Sequence, residues 1–376
     1  MEHIIKFYPV GNGDCSLIKL DDGTTIIVDC QIEEITKDNK DTTYDVKADL
    51  LKELQKDTDG HPYVDLYVST HPHSDHCKGF ESNFYCGKLE DYDDDKDKNK
   101  IIIGELWVSP MALNNDIDET AVPIRKEAKR RRKLYDDKSE FSGEYGSYLR
   151  IIGYDKDKEF DKRYGYIPGI EVDELNGQWL DMLTIFIHAP FKESVEVGKE
   201  QDDKNEVSIV LHFTFADAEG NTVCRLLTGG DAEHEVWEKI IENNSDDENL
   251  KWNIFLAPHH CSWTFFNETN NKEEVKESAT EILDKQLGKA HIVTSCTSIK
   301  NFDPKAKPPP YKEAADKYKE LLKSGNDHFL NTADEFEATK KPIVFKISGS
   351  GKTREKIAVT SIQTVASRPA PRAGLD

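Results

Sequence analysis

The sequence lacks long apolar runs and any cysteine pattern typical of disulfide-rich or zinc-finger proteins. Hydrophobic residues make up 37% of the 376 positions, and no stretch approaches the roughly 18 consecutive apolar residues that a membrane-spanning helix needs. The seven cysteines are odd in number and show no Cys-x-x-Cys spacing, which argues against a disulfide framework. We therefore expect a protein that does not enter the membrane and that occupies a reduced, cytoplasmic compartment.

Positive charge is also scarce. Lys and Arg number 50 against 72 Asp and Glu, a net charge of −22, which argues against broad wrapping of nucleic acid. A local basic patch remains compatible with this balance. The run from Arg125 to Lys133 is strongly basic, and it fits either a site for a polyanion or a partner, or a solvated helix face. Residues 88–100 are almost wholly charged, which predicts a mobile loop with no apolar face to bury.

Strand and helix patterns both recur along the chain, which predicts an α+β protein. With 16 Phe, 14 Tyr and 5 Trp, the chain has enough aromatic residues for a substantial core. We expect one domain over residues 1–366, with a charged insertion at about 80–180 and a disordered tail over 367–376. The patterns that predict strands lie at 4–8, 16–20, 24–28, 64–69, 101–108, 183–187, 207–215, 223–227, 253–256 and 291–294, and helical patterns lie at 45–55, 122–135 and 310–324.

The strongest chemical signal is a group of histidines directly after a predicted buried strand. His71, His73, Asp75 and His76 fall within six positions, and a histidine pair at i, i+2 in an extended segment has both imidazoles on one side. If a helix begins at about Ser74, the two residues that follow it turn toward the same pocket. Such nitrogen and oxygen donors suit Zn²⁺ or Mn²⁺, so the segment predicts one or two metal ions. The alternative is a polar loop that happens to be rich in histidine.

This segment resembles a known family motif. Thr70-His-Pro-His-Ser-Asp-His76 is similar to the His-x-His-x-Asp-His motif of the metallo-β-lactamase fold, and the other motifs of that family follow in order. Asp29 resembles the first-motif aspartate, which supports the metal loop. Leu226-Leu-Thr-Gly-Gly-Asp231 resembles the strand end whose carboxylate bridges two metals, and Pro258-His-His-Cys-Ser262 resembles the last motif.

Within that superfamily, the chain is most similar to the soluble hydrolase domain of DNA-uptake competence channel proteins. Val10-Gly-Asn-Gly-Asp-Cys-Ser-Leu-Ile18 resembles their Gly-x-Gly-Asp-Ser opening, and Asn205-Glu-Val-Ser208 resembles their Asn-x-x-Ser strand. The similarity covers about residues 1–300 with gaps, and most of 80–180 lies outside it. The membrane part of the channel is absent from the similarity, so DNA uptake itself is not implied.

The resemblance implies a four-layer αββα sandwich with a metal site at the strand ends. The usual third-motif histidine has no clear occupant, and His188 and Asn205 are left open as metal ligands or supporting residues. Of the histidine pair in the last motif, the first is expected to bind metal and His260 to support it or contact substrate. The expected ligands are His71, His73, Asp75, His76, Asp231 and His259, with Asp75 and Asp231 as the catalytic carboxylates and Asp29 as structural support.

The implied function is a hydrolase with a metal-activated water, most naturally a phosphodiesterase or nuclease that acts on a nucleic acid or nucleotide. One alternative is hydrolysis of a small ester, thioester or lactam. Another class altogether is a non-catalytic, partner-binding protein that keeps a metal for stability, and a protein partner is compatible with the sequence. Trp263, Phe265 and Phe266 either stack on a base or pack in the core. The sequence indicates no particular oligomeric state.

Overall fold

The computed structural model describes residues 2–137, 143–155, 158–201, 204–244, 247–303 and 305–355. Regular elements occur in all of these ranges. In chain order the strands are β1 (His3–Phe7), β2 (Ser16–Lys19), β3 (Thr25–Val28), β4 (Tyr63–Ser69), β5 (Phe84–Tyr85), β6 (Ile101–Val108), β7 (Tyr148–Ile152), β8 (Tyr154–Asp155), β9 (Lys158–Glu159), β10 (Gly165–Tyr166), β11 (Glu171–Val172), β12 (Glu174–Leu175), β13 (Gln178–Trp179), β14 (Leu183–Ala189), β15 (Val210–Ala216), β16 (Thr222–Thr228), β17 (Trp252–Leu256), β18 (Gln286–Thr294), β19 (Phe329–Asn331), β20 (Ile343–Ser348) and β21 (Gly351–Arg354).

Helices connect many of these strands. Short 3-10 turns also occur, among them those at Glu119–Ala121, Asn205–Val207 and His259–Cys261. Among the described residues, no helix is both long enough and apolar enough to cross a membrane. The α-helices are α1 (Val46–Glu53), α2 (Ser74–Cys77), α3 (Phe80–Asn83), α4 (Val122–Asp136), α5 (Lys192–Gln201), α6 (His234–Asn243), α7 (Glu277–Asp284), α8 (Lys312–Leu321) and α9 (Thr332–Thr339).

Two large mixed sheets organise the strands. The first has the order β10-β7-β6-β4-β3-β2-β1-β20-β21, with β5 beside β6, and the second has the order β11-β14-β15-β16-β17-β18-β19. Each sheet joins an antiparallel part to a parallel part. The parallel part contains β3, β4, β6 and β7 in the first sheet, and β16 to β19 in the second. The predicted mixture of helices and strands is therefore confirmed.

The two sheets pack face to face through one apolar cluster. Ile5 and Leu66 of the first sheet share this cluster with Leu211, Phe213 and Ile254 of the second. Alternate residues of each strand point to the other face, where helices cover them. Residues of α1, α3 and α4 pack on the outer face of the first sheet, and residues of α6, α7 and α8 pack on that of the second. Burial of each large aliphatic side chain contributes about 1.5–3 kcal/mol.

Part of the segment expected as a charged insertion belongs to the first sheet. All eight residues of β6 are buried, and β6 pairs with both β4 and β7. The segment therefore extends the sheet as well as adding loops to it. The expected tail over 367–376 lies outside the described residues, and the single-domain boundary at 366 stays a prediction.

The charged stretch 88–100 packs more than the sequence suggested. The Tyr92 ring stacks on His61, with ring centres 4.1 Å apart, and lies 4.8 Å from the ring of Tyr85. Its hydroxyl donates to the carbonyl oxygen of Asp97 at 2.6 Å. No residue of this stretch is fully buried, although the half-buried Tyr92 anchors the surrounding charged residues. The mobility of the loop stays a prediction.

The basic run on α4 is partly a core element. Arg131 is 1% exposed and forms an ion pair with Glu127 at 2.7 Å. Its guanidinium also donates to the carbonyl oxygens of Ile103, Gly104 and Tyr148 at 2.8–2.9 Å. A buried guanidinium needs such partners, since an unpaired buried charge is strongly destabilising. This side chain therefore fixes α4 against β6 and β7.

Replacement of this arginine tests that role. Arg131→Met should lower the free energy of unfolding by about 3 kcal/mol or more, because three carbonyl groups lose this donor and the buried Glu127 keeps only Arg130 as its ion-pair partner. Lys133→Met is the matched control on the same helix, since the Lys133 side chain is 73% exposed, and it should change stability by less than about 0.5 kcal/mol. Urea unfolding followed by circular dichroism measures both. Equal stability of the two variants would contradict the structural role.

A candidate metal centre

The residues singled out from the sequence meet at the carboxyl ends of parallel strands. Asp29 follows β3 and His71 follows β4, whereas Asp231 follows β16 and His259 follows β17. The carboxyl ends of neighbouring parallel strands meet at one edge of a sheet, which is where open α/β sheets place their ligands. Because the two sheets pack face to face, this edge of each contributes to one pocket.

The carboxylate of Asp231 lies at the centre of this pocket and is 1% exposed. Its Oδ1 lies 3.0 Å from Nε2 of His76 and 3.5 Å from Nε2 of His260. Its Oδ2 lies 3.6 Å from Nε2 of His71 and 3.7 Å from Nε2 of His259. Each oxygen therefore faces a different pair of imidazoles, as a carboxylate between two cation positions would.

Each of these four imidazoles is held through its other ring nitrogen. Histidines that bind metals typically bond through that nitrogen to a protein oxygen, which fixes the ring and its tautomer. All four Nε2 atoms are consequently aimed at the same carboxylate. The Nδ1 partners are Thr70 Oγ1 for His71 at 3.1 Å, Asp29 Oδ2 for His76 at 2.8 Å, Thr264 Oγ1 for His259 at 3.0 Å, and the Ser295 carbonyl oxygen for His260 at 3.1 Å.

The remaining predicted ligands join the same pocket. The His73 ring packs edge-on against that of His71, with centres 4.8 Å apart, and Asp75 Oδ2 lies 3.4 Å from His260 Nε2. Within this pocket, three groups bring their ligand atoms within 4.8 Å of one another and have the composition of metal sites. They are His71, His73 and Asp231; His71, Asp75 and His76; and Asp14, His76, Asp231 and His260.

The histidine pair of the last motif occupies unusual backbone. His259, His260 and Cys261 have φ values of 50°, 51° and 64°, a left-handed conformation that costs non-glycine residues of order 1–3 kcal/mol each. Backbone hydrogen bonds from His259 N to the Gly230 oxygen and from Tyr311 N to the Cys261 oxygen, both 3.0 Å, hold the turn. Both imidazoles reach Asp231 as a result, and it is His260, expected to support the metal or contact substrate, that joins the ligand groups.

The charges in the pocket are strongly coupled. Burial opposes ionisation of Asp231, but the surrounding imidazoles hold the pKa of its carboxyl well below the usual value. Burial also disfavours the charged form of His76 and His260, yet nearby carboxylates raise the pKa of His76 well above its usual value and that of His260 to about 9. Burial lowers the pKa of His71. The pocket thus combines ionised carboxylates with imidazoles, a donor set suited to a divalent cation.

Asp29 is hydrogen-bonded to the loop that carries the clustered histidines. Its carboxylate accepts hydrogen bonds from Thr70 N at 2.8 Å and from Thr70 Oγ1 at 2.6 Å, in addition to its contact with His76. Opposite it, Gly230 has φ +50° and a Cβ there would come within 3.0 Å of Thr70 Oγ1. Glycine is favoured at this position because the left-handed conformation disfavours a side chain and a Cβ would lie tightly against Thr70.

His188 does not belong to the cluster. Its Nε2 lies 2.9 Å from the Asn249 carbonyl oxygen and its Nδ1 accepts from Asn244 at 3.2 Å. Both ring nitrogens are therefore committed, which argues against its role as the missing third-motif ligand. Asn205 instead reaches the site indirectly, because its Nδ2 donates to Glu233 Oε1 at 3.2 Å and that carboxylate lies 3.5 Å from Nδ1 of the clustered His259.

The aromatic residues after the last motif are core residues. Trp263 is 2% exposed, and Phe265 and Phe266 are 0% exposed. They pack with Trp237 and Tyr318 beneath the second sheet. Of the two alternatives, core packing is confirmed and a stacking wall for a base is wrong.

The cysteines next to the motifs are buried. Cys30, Cys77 and Cys261 are each 0% exposed. Burial raises the pKa of each thiol well above its usual range. These are small core residues with little thiolate character.

Asp14 was not among the candidate ligands predicted from the sequence. The Gly-Asn-Gly-Asp run entered only through its resemblance to the family's opening motif, yet Asp14 is 5% exposed and lies 3.9 Å from Nδ1 of His260. Its amide donates to the Asp75 carbonyl oxygen at 3.1 Å, and Ser295 Oγ donates to the Gly13 carbonyl oxygen at 2.6 Å. The turn thus connects both halves of the site. A buried acid in a glycine-rich turn was the available signal.

Comparison with known proteins adds no relative. Neither a scan of protein-family models nor a search of curated proteins found a match to this chain. The chemical interpretation of the pocket therefore rests on its own geometry and on the motifs that build it.

Proposed function

We propose that this protein is a metal-dependent hydrolase that cleaves phosphodiester bonds. The observation that carries the proposal is the buried Asp231 carboxylate with four histidine Nε2 atoms directed at its two oxygens. Such a set of nitrogen and oxygen donors is typical of Zn²⁺ and Mn²⁺ sites. We extend the proposal to the fold: two facing sheets with helices on both outer faces support a four-layer αββα sandwich of the metallo-β-lactamase type.

The residues fit a bound metal. Nε2 of His71 is buried and has no hydrogen-bond partner among the described residues, and an unsatisfied buried nitrogen calls for a ligand that the protein chain does not supply. His71, His73 and Asp231 would hold one ion, and His76, His260 and Asp231 would hold a second, with Asp14 and Asp75 beside it. When bound, such ions lower the pKa of water and stabilise negative charge on a substrate.

The protein's own groups would position that chemistry. Ser208 Oγ accepts from the Asp231 amide at 3.1 Å and so fixes the backbone that carries the central carboxylate. Asp75 is the more accessible carboxylate, since its side chain is 35% exposed. Burial opposes its ionisation, but His260 and His76 hold the pKa of this carboxyl below its usual value. Asp75 therefore stays ionised at the mouth of the site, as a carboxylate that helps to hold a cation would.

The preference for phosphodiesters rests on the segments that resemble the competence-type hydrolase domain. Two residues of those segments lie in the site, since Asp14 belongs to a candidate ligand group and Ser208 contacts Asp231, and Asn205 reaches it indirectly through Glu233. Ligand chemistry alone would also serve a small ester, thioester or lactam. These substrates are the alternative class, together with a metal-containing, non-catalytic binding protein.

Metal content is the first test. Protein purified without chelator should contain one or two Zn²⁺ or Mn²⁺ ions per chain by elemental analysis, and Asp231→Ala should lose most of them because both positions share that carboxylate. His188→Gln is the control and should keep the parental content, since its ring bonds elsewhere. Parental protein with under about 0.2 ion per chain, and without uptake on addition of either metal, would contradict the site.

The two histidines of the last motif should differ. His260→Ala should lower the metal stoichiometry, because His260 belongs to a ligand group with Asp14, His76 and Asp231. His259→Ala should reduce it less, since its Nε2 lies 3.7 Å from Asp231 Oδ2 and outside those groups. Titration with Zn²⁺ by calorimetry compares the two variants. A larger loss for His259→Ala would reverse this assignment.

Catalysis is the decisive test. Metal-loaded protein should hydrolyse at least one of bis-p-nitrophenyl phosphate, single-stranded DNA, duplex DNA, RNA and a cyclic dinucleotide. Asp231→Ala should reduce the rate by on the order of 10²-fold or more, through lost positioning of the reacting groups, and His188→Gln should stay near the parental rate. The proposal fails if fully loaded protein leaves every phosphodiester intact. Turnover of a thioester or lactam in the same screen would favour the alternative class.

A further inference from the structure

Helix α4 presents a cationic face to solvent on a strongly acidic protein. At 3.6 residues per turn, the five residues of this face fall within an arc of about 120°, and they extend over about 12 Å of the helix. Two of their neighbours on the inner side, Glu127 and Arg131, are buried. The five residues of the cationic face are Arg125, Lys126, Lys129, Arg132 and Lys133.

Acidic residues compensate little of this charge. Arg125 donates to the carbonyl oxygens of Asn114 and Asn115 at 3.1 and 2.8 Å, and Lys129 donates to Asn115 Oδ1 at 3.3 Å. These acceptors are neutral, and in the described parts of the chain no ion pair joins Arg125, Lys126 or Lys129 to a carboxylate. Arg132 pairs with Asp136 at 3.4 Å and Lys133 with Asp137 at 3.8 Å, and because both pairs are solvent-exposed each contributes little.

The orientation of the cationic face is fixed by the core. Arg131 bonds to three backbone carbonyls of β6 and β7 on the inner side of α4, so the helix cannot rotate without loss of buried polar contacts. On the outer side, the Arg132 guanidinium lies over the rings of Phe160 and Tyr164 at 5.7 and 5.6 Å. The cations are consequently presented on a rigid element.

A groove of about 600 Å³ lies beside the cationic face. Arg130 and Leu134 of α4 line one side, and Leu89 and Tyr145 line it from neighbouring loops, together with Lys88, Glu90 and Glu144. Leu89 is 38% exposed, one of two large apolar side chains of the described chain that are exposed to this degree. The groove therefore places apolar and aromatic surface beside a row of positive charge. Proteins that bind single-stranded nucleic acids use this combination.

We propose that the cationic face of α4 and this groove bind single-stranded nucleic acid, with phosphates on the face and a base in the groove. The choice of nucleic acid over another polyanion rests on the proposed phosphodiesterase function. The placement is consistent with it: the 3-10 turn at Glu119–Ala121, which leads directly into α4, packs against α2, and α2 carries Asp75 and His76. The N-terminal end of α4 therefore lies near the helix that carries these two candidate metal ligands.

Binding is tested apart from catalysis, with a fluorescent 20-nucleotide DNA strand and the same strand as a duplex, in EDTA at low salt. Lys126→Glu/Lys129→Glu/Lys133→Glu removes three cations of the face. Lys312→Glu/Lys323→Glu/Lys346→Glu is the matched control, with the same net charge and exposed lysines elsewhere. Circular dichroism confirms that both variants fold. Anisotropy then gives the affinity and its dependence on salt.

The parent and the control should bind the single strand more tightly than the duplex, and the α4 variant should bind it at least tenfold more weakly. The slope of log affinity against log salt should become less steep by about 2 in that variant, since three phosphate contacts are lost and each contributes about 0.7 for a single strand. Leu89→Ala should reduce the ratio of single-strand affinity to duplex affinity.

The inference would be overturned if the parent did not bind the single strand, or if both triple variants lost the same affinity. It would also be overturned if strand and duplex bound equally well, or if poly-glutamate displaced the labelled strand as effectively as unlabelled DNA does. Hydrolysis of bis-p-nitrophenyl phosphate by the metal-loaded α4 variant separates this inference from the proposed function. That small substrate does not need the cationic face, so its turnover should match the parent. Activity without strand binding would refute only the docking face, whereas strand binding without activity would refute only the hydrolase.

Discussion

The structure of the site depends on one buried charge. A carboxylate such as that of Asp231, placed out of contact with water, costs several kcal/mol unless opposite charge and hydrogen-bond donors surround it. Four imidazoles supply this environment, and their Nδ1 anchors keep them directed inward. The raised pKa values of His76 and His260 follow from the same interaction. A metal ion and protons therefore compete for these nitrogens.

Neither sheet can build this environment alone. The first sheet supplies His71 and His76, and the second supplies Asp231 and the last-motif histidines, so the distance between the sheets sets the separation of the charges. The apolar cluster between the sheets fixes that distance. A backbone hydrogen bond from Ile209 N to the Thr70 oxygen, at 3.1 Å, crosses between them directly beside the site. The packing of the core between the sheets therefore also determines the geometry of the site.

The sequence predicted those parts of the site that depend on local spacing. His71 to His76 lie within six positions after a strand, so their convergence needed only the strand end and the short helix α2. Asp14 and Glu233 approach from elsewhere in the chain, and nothing in their local pattern indicates which distant imidazole each will meet. His188, which the sequence left open as a possible ligand, lies where the motif would place a histidine, but its ring bonds to Asn244 and Asn249.

The same limit applies to the fold. Alternating strand and helix patterns predicted the α+β class. The composition of the run from Arg125 to Lys133, however, did not indicate which of its cations would be exposed and which buried. One arginine of that run, Arg131, points inward because the helical repeat places it on the same side as Ile124 and Ala128. Charge alone suggested exposure, and periodicity decided burial. The remaining cations of the run face solvent for the same geometric reason.

The left-handed turn at 259–261 explains how adjacent histidines serve one carboxylate. In an extended segment, consecutive side chains point to opposite faces, so His259 and His260 could not both approach Asp231 from a strand. Three successive residues with positive φ turn the chain sharply enough that they do. The cost of that conformation falls on a segment tied at both ends by backbone hydrogen bonds. Cys261 accordingly occupies a position where glycine would relax the strain, and it is small enough to remain fully buried there.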